Sequence, residues 1–282
     1  MANTSESSPS SGRRKYVDMG DNIASPEQTL QAAVEWTTED FLSAKPYPIP
    51  KVTEKMVSEF IEKMTSSSAK GGNTVAGGLP SSIDRAVDVE KTEKLAGFPY
   101  PPPFNQHEVL VPYTTYPYCT IGKIFFNQGG GSWVASAASI GNNGIWTAGH
   151  CVHSGNGQPS GWSTNLVFMP AYRDGNASRG QFTMRQLWCR TNWYQNGNPG
   201  GLFEDMGGVI LHPLNGRTVS QVVGWLGFAW NYPRNQVWTS LGYPAAPPFN
   251  GQRMWECTAP YANDGSVPGS PQPIGIGCSM TS

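Results

Sequence analysis

The segment Thr147-Ala148-Gly149-His150-Cys151 places a histidine directly behind a short apolar run, Gly144-Ile145-Trp146. An imidazole presented at the end of a strand can take a proton from a weak nucleophile and later return it to a leaving group, which is the work of a general base in acyl transfer. Such a base needs a carboxylate to hold one tautomer and to stabilise the imidazolium. The run Glu204-Asp205-Met206-Gly207-Gly208-Val209-Ile210-Leu211 sets Asp205 ahead of small and β-branched residues that read as a buried strand. His150 and Asp205 are therefore the candidate catalytic residues, as general base and orienting carboxylate. Asp174, in the turn Tyr172-Arg173-Asp174-Gly175, is the rival for the carboxylate role. No Gly-x-Ser-Gly turn follows Asp205, and neither Ser279 nor Ser282 is followed by the small residues a nucleophile turn needs, so the activated serine is expected beyond Ser282.

Other chemistries compete for the same residues. His150-Cys151-x-His153, with Cys189, offers zinc-ligand types, but no second paired cluster exists and neither metal nor cofactor is assigned. His107 and His212 stand singly beside turn or strand residues and read as structural. The 10 Trp and 11 Tyr could line a sugar-binding face, which makes a carbohydrate-binding β-sandwich an alternative of another class. Such residues more often fill barrel cores and turn edges.

The chain that must position this pair has 282 residues, enough for one large β domain or two smaller ones with an extension. Charged residues make up 14% and the net charge is -1, so no nucleic-acid footprint and no membrane-surface patch is visible, and no segment approaches transmembrane length. The expected partner is a neutral chain rather than a polyanion, and the expected state a monomer. Five cysteines leave at least one without an intramolecular partner; Cys257 and Cys278, which bracket a Gly/Pro-rich loop, are the candidate disulfide. That pair and the sequon Asn176-Ala177-Ser178 suit an extracellular location. Against it, the polar N-terminus shows no apolar stretch after Arg13-Arg14-Lys15.

Residues 1 to about 24 are polar and Ser-rich and are expected to be disordered. Ser25-Pro26-Glu27-Gln28 reads as a helix start with Ser25 as N-cap, ahead of Leu30, Val34 and Phe41. A second helix is predicted over Thr53 to Met64, before a Ser66-Ser67-Ser68 and Gly71-Gly72 linker. From about Gly97 the texture changes to short Tyr-, Val-, Ile-, Trp- and Thr-rich runs between Gly, Asn and Pro, an all-β pattern. Predicted strands are Cys119 to Phe126, Ser132 to Ile140, Gly144 to Ala148, Asn165 to Met169, Phe182 to Cys189, Met206 to Leu211, Val237 to Gly242 and Arg253 to Thr258.

Five motifs in order carry a resemblance: Thr115-Tyr116-Pro117-Tyr118 leading into Ile121, the His150 segment, Glu204-Asp205-Met206-Gly207, Leu241-Gly242-Tyr243-Pro244, and Gly277-Cys278-Ser279-Met280-Thr281. Residues from about 105 to the end resemble the chymotrypsin-like (trypsin-like) serine peptidases, and among them the glutamyl endopeptidase branch. The resemblance implies a two-barrel fold with the site in the cleft between barrels and the second barrel incomplete. It implies a serine endopeptidase that needs no cofactor, and an extension over 1-98 acting as a pro-segment. The peptidase domain would then occupy 99-282, with a first barrel at about 105-215 and a partial second at about 216-282. In many relatives the cysteine after the histidine pairs with one a little upstream; here that neighbourhood reads Ser132-Trp133-Val134-Ala135, so Cys151 takes another partner or stays free. The alternative on the same fold is a pseudoenzyme that keeps the barrel as a binding module.

Overall fold

A computed structural model describes residues 17–18, 21–30, 36–48, 73–80, 105–110, 112–230, 232–264, 274–276, 278 and 280. In chain order its strands begin with β1 (Val17–Asp18), β2 (Asn22–Ala24), β3 (Lys45–Pro46), β4 (Asn73–Val75) and β5 (Asn105–Glu108). The longer strands follow as β6 (Ile121–Gln128), β7 (Gly131–Gly141), β8 (Gly144–Thr147), β9 (Thr164–Pro170), β10 (Phe182–Arg190) and β11 (Gly207–Leu211). The last are β12 (Phe228–Trp230), β13 (Val237–Gly242), β14 (Trp255–Asp264) and β15 (Ile274–Ile276).

Six of these strands, in the order β10-β11-β8-β7-β6-β9, close into a barrel when β9 pairs back onto β10 through Phe182↔Phe168 and Thr183↔Val167. Closure excludes the sandwich alternative, because the ring has no pair of facing sheets; a closed sheet hides its hydrogen-bonding edges instead. Side chains that alternate along a strand explain why β6 is buried on both faces. Ile124 and Phe126 fill the barrel interior with Leu166, Phe168, Leu187, Val209 and Leu211, while Ile121 and Phe125 join Val167, Met169 and Tyr172 in a second core outside it. The β6–β7 hairpin turns on Gly129 (φ 58°) and Gly130 (φ 79°), the positive angles that a tight turn matching strand twist demands.

The predicted strands from Cys119 onward lie where sequence patterning put them, with ends shifted by a few residues. The N-terminal expectations fare differently. Residues 22–24, expected to be disordered, form β2, which adds antiparallel to β10 with Ile23 and Ala24 buried. The helix expected from Ser25 does not start there: Ser25 N donates to Leu187 O at 2.9 Å and its Oγ accepts from Leu187 N at 3.0 Å, so the presumed cap serves a neighbouring strand. The short helix lies later, at Thr38–Ser43, capped by Thr37 and Asp40 and packed through Phe41. The second predicted helix, the Ser/Gly linker and the Gly97 boundary fall outside the described residues.

Beyond the barrel, β13, β14, β15 and β5 form a four-stranded antiparallel sheet. Asn105–Glu108, grouped with the first barrel from sequence, therefore pairs with β14 of this second sheet. The expected pair Cys257–Cys278 is disulfide-bonded, and Cys119, Cys151 and Cys189 are buried free thiols. Closing a loop over a sequence separation of 21 residues restricts the unfolded chain. Mild reduction is expected to cost roughly 3 kcal/mol, and a Tm that does not fall on reduction in a calorimeter would refute that role.

Candidate active site

Register brings the site together. Gly207 of β11 pairs with Thr147 of β8, so the residues just before Gly207 meet those just after Thr147. Thr147 is tied to β7 by its Oγ1 donating to Ser136 O at 2.9 Å. The chain then enters a single 3-10 turn, Gly149–Cys151, that carries His150, while Asp205 terminates the turn Leu202–Glu204. One carboxylate thereby serves His150 twice: Asp205 Oδ1 accepts from His150 N at 2.7 Å and Oδ2 lies 2.7 Å from Nδ1. With the Nδ1 proton facing the carboxylate, Nε2 is left as the acceptor that a general base requires.

Burial opposes a charge on this ring, but the neighbouring Cys151 sulfur and the Asp205 carboxylate outweigh it, so His150 is pushed up to about 10. Asp205 is the partner that contacts the ring within hydrogen-bond distance. Gly149 permits the approach: a Cβ there would stand 2.9 Å from Asp205 Oδ1, 3.0 Å from Met206 N and 3.0 Å from Trp193 Cδ1. Gly149→Ala is expected to displace the carboxylate and to destabilise the fold by about 1–3 kcal/mol, as overpacking does. Thermal melts check the loss; a variant with an unchanged Tm would show that the neighbours give way freely.

A cleft of about 350 Å³ opens beside His150, lined also by Tyr47, Pro48, Gln128, Trp133 and Trp193. Trp193 meets the imidazole edge-on with centroids 6.3 Å apart and is fixed by its Nε1 donating to His153 O at 2.7 Å. Gln128 Nε2 donates to His150 O at 3.0 Å and to Ser163 Oγ at 2.8 Å, and Ser163 Oγ donates to Cys151 O at 2.8 Å. The backbone on both sides of the imidazole is thus held. Tyr47 stacks on the ring, centroids 5.2 Å apart and planes 21° apart. Sequence reading missed Gln128, Trp193 and Tyr47 as site residues and named Gly149 only within the His150 motif; the Gly129-Gly130 turn after Gln128 was the one further local signal.

The remaining candidates lie elsewhere. Asp174 accepts from Arg253 Nε at 3.1 Å, on the side of the molecule facing the second sheet, and not from a histidine. His153 is fully buried, with Nε2 2.9 Å from Gln158 O and Nδ1 accepting from Gly155 N, and stacks on Tyr194 at 4.3 Å. His212 Nε2 lies 2.9 Å from Gln28 O, and His107 lies in β5. Burial pushes the Cys189 thiol up to about 12 and Cys119 up to about 11, so both stay protonated. Among the described residues no group of three or more His, Cys, Asp or Glu is placed to hold a metal ion, and no serine hydroxyl hydrogen-bonds the His150 ring.

The chain is similar in structure to a thermostable serine protease, AL20, from an extremophilic microorganism, with 36% identity, 58% of this chain and 74% of that chain covered, and a TM-score of 0.52. It is also similar to the protease Anisep from Arthrobacter nicotinovorans at 34% identity, covering 58% and 80% of the two chains with a TM-score of 0.48. A Glu endopeptidase structure matches at 16% identity over 61% and 80%, with a TM-score of 0.45. No family model matches the chain, and no curated protein matches it.

Proposed function

The chain belongs to the serine proteases of chymotrypsin-like fold, and from that premise we propose that it provides the general base and its orienting carboxylate for a serine-type endopeptidase. The observation that carries the reading is the double engagement of Asp205 with His150 N and Nδ1. In the proposed reaction His150 Nε2 takes the proton of a serine hydroxyl as its oxygen bonds to the scissile carbonyl carbon. The imidazolium is held by Asp205 and gives that proton to the departing amine as the peptide C–N bond breaks, leaving an acyl-enzyme. Water repeats the sequence: Nε2 takes its proton, the ester bond breaks, and the serine recovers the proton.

The nucleophile is proposed to lie beyond Ser282, on the chain that the Cys257–Cys278 disulfide ties to β14. The substrate is a polypeptide, and the disulfide supports an extracellular setting. The extension over residues 1-98 is proposed as a pro-segment; active material whose N-terminal sequence begins at Met1 would refute that part. For the activity itself, the chain continued through a Gly-x-Ser-Gly turn after Ser282 is expected to hydrolyse a denatured protein, read as new amines. If it folds with its melting transition intact and no amines appear, the pseudoenzyme reading takes over.

A further inference from the structure

We propose that residues 45–48 are an autoinhibitory strap, with Tyr47 as the plug, laid across the cleft that holds His150. The inference rests on the reading of His150 as the base, and it begins with an edge. Strand β8 leaves β7 after Thr147, the last ladder pair at this end being Ala138↔Trp146. The stretch of β7 at Trp133 and Val134 is then free on the side where His150 stands. The chain's own β3 fills that edge in parallel, Lys45 opposite Trp133 and Pro46 opposite Val134, and Tyr47 N donates to Val134 O at 3.3 Å.

The side chain that follows goes into the cleft. Besides its stack on His150, the Tyr47 ring lies 5.2 Å from Trp133 at 69° and 5.7 Å from Phe126 at 31°, and its hydroxyl donates to Gln128 Oε1. Pro48 continues along the cleft wall. Prolines on both sides of Tyr47 fix φ and keep the segment extended, so little entropy is lost on laying it down. Upstream it is anchored by Trp36, whose Nε1 donates to Asn165 O at 2.7 Å, and by Phe41, which stacks on Trp36 at 5.5 Å and meets Phe125 edge-on at 4.7 Å. A polypeptide substrate must bring its scissile carbonyl beside His150 and would use the nearest free strand edge to lie in register. The strap holds both the edge and the space.

The test uses the 282-residue chain and needs no catalytic serine. Diethyl pyrocarbonate modifies accessible neutral imidazoles, and peptide mass spectrometry gives a separate rate for each of the four histidines. At a fixed alkaline pH, Tyr47→Ala is expected to speed modification of His150 by about tenfold or more, the loss of several aromatic contacts, while buried His153 keeps its rate. Tyr47→Phe, which keeps the stack, stays near wild type. An unchanged His150 rate in Tyr47→Ala overturns the strap, and so does acceleration of all four histidines together, which reports unfolding. In the chain continued to a serine, Tyr47→Ala should also raise hydrolysis; a fall would make Tyr47 a positioning residue and overturn the strap. Faster modification with no hydrolysis in any variant would leave the strap standing and sink the peptidase reading.

Discussion

His150→Ala, made in the chain continued through a serine turn, is expected to lower turnover by about 10⁶-fold with little change in KM. The serine hydroxyl is a poor nucleophile unless its proton is taken as it attacks, and no other described residue offers an imidazole at this cleft. The loss falls on the transition state, since the imidazole becomes a cation only there, and so it appears in kcat. The fold should survive, because the backbone contacts remain: His150 N still donates to Asp205 Oδ1, and Gln128 still donates to His150 O. Steady-state kinetics with a circular dichroism melt separates the two effects. A drop below about tenfold, less than a positioned general base contributes, would remove His150 from the mechanism.

Asp205→Asn is expected to cost about 10⁴-fold in turnover, for a geometric reason. Oδ1 accepts a backbone N–H from His150, so an amide at this position keeps its oxygen there and turns its NH₂ toward Nδ1. Nδ1 then has to accept, the ring proton moves to Nε2, and the nitrogen meant to receive the serine proton is already occupied. The titration of His150 should move too. In the native protein it is pushed up to about 10; in the variant the carboxylate's part is lost, the neighbouring Cys151 sulfur alone still opposes burial, and the titration moves down. NMR of the histidine ring protons reads this directly, and a titration unchanged in Asp205→Asn would mean that the carboxylate does not hold the ring.

The raised value sets the pH behaviour. A folded-state value above the unfolded one means that the imidazolium–carboxylate pair stabilises the fold fully below about 6.5, and that this contribution disappears as pH rises through about 10. Catalysis needs the neutral ring, so activity climbs with pH over the same window and its ascending limb lies above the ordinary histidine range.

The barrel was legible because its strands carry their own signal: short runs of β-branched, aromatic and small residues between glycine and asparagine turns mark Ile121–Gln128, Gly131–Gly141 and Gly207–Leu211 without reference to the rest of the chain. His150 and Asp205 were legible because each abuts such a strand, and the β8–β11 register does the rest. The extension was not. Asn22–Ala24 is only three residues long and follows a polar stretch, and its place is set by β10, whose partner residues are more than a hundred positions away. Ser25 and Pro26 carried helix-start chemistry that a strand edge then used differently, with tertiary pairing overriding local propensity. Tyr47 was invisible for the same reason: what places it is a gap in the β7–β8 ladder, and a gap has no composition. Asn105–Glu108 was misgrouped because sequence order suggests the nearer barrel, whereas its hydrogen bonds go to β14.

The most direct test of His150 and Asp205 as base and orienter is the rate at which a fluorophosphonate labels the serine of the continued chain, followed across pH in the native protein, His150→Ala and Asp205→Asn. Labelling that rises with pH through a limb displaced above about 6.5, the ordinary histidine value, that shifts down in Asp205→Asn and that vanishes in His150→Ala is the expected result. Labelling at the native rate in His150→Ala would show that the serine needs no help from this imidazole, and would contradict the assignment outright.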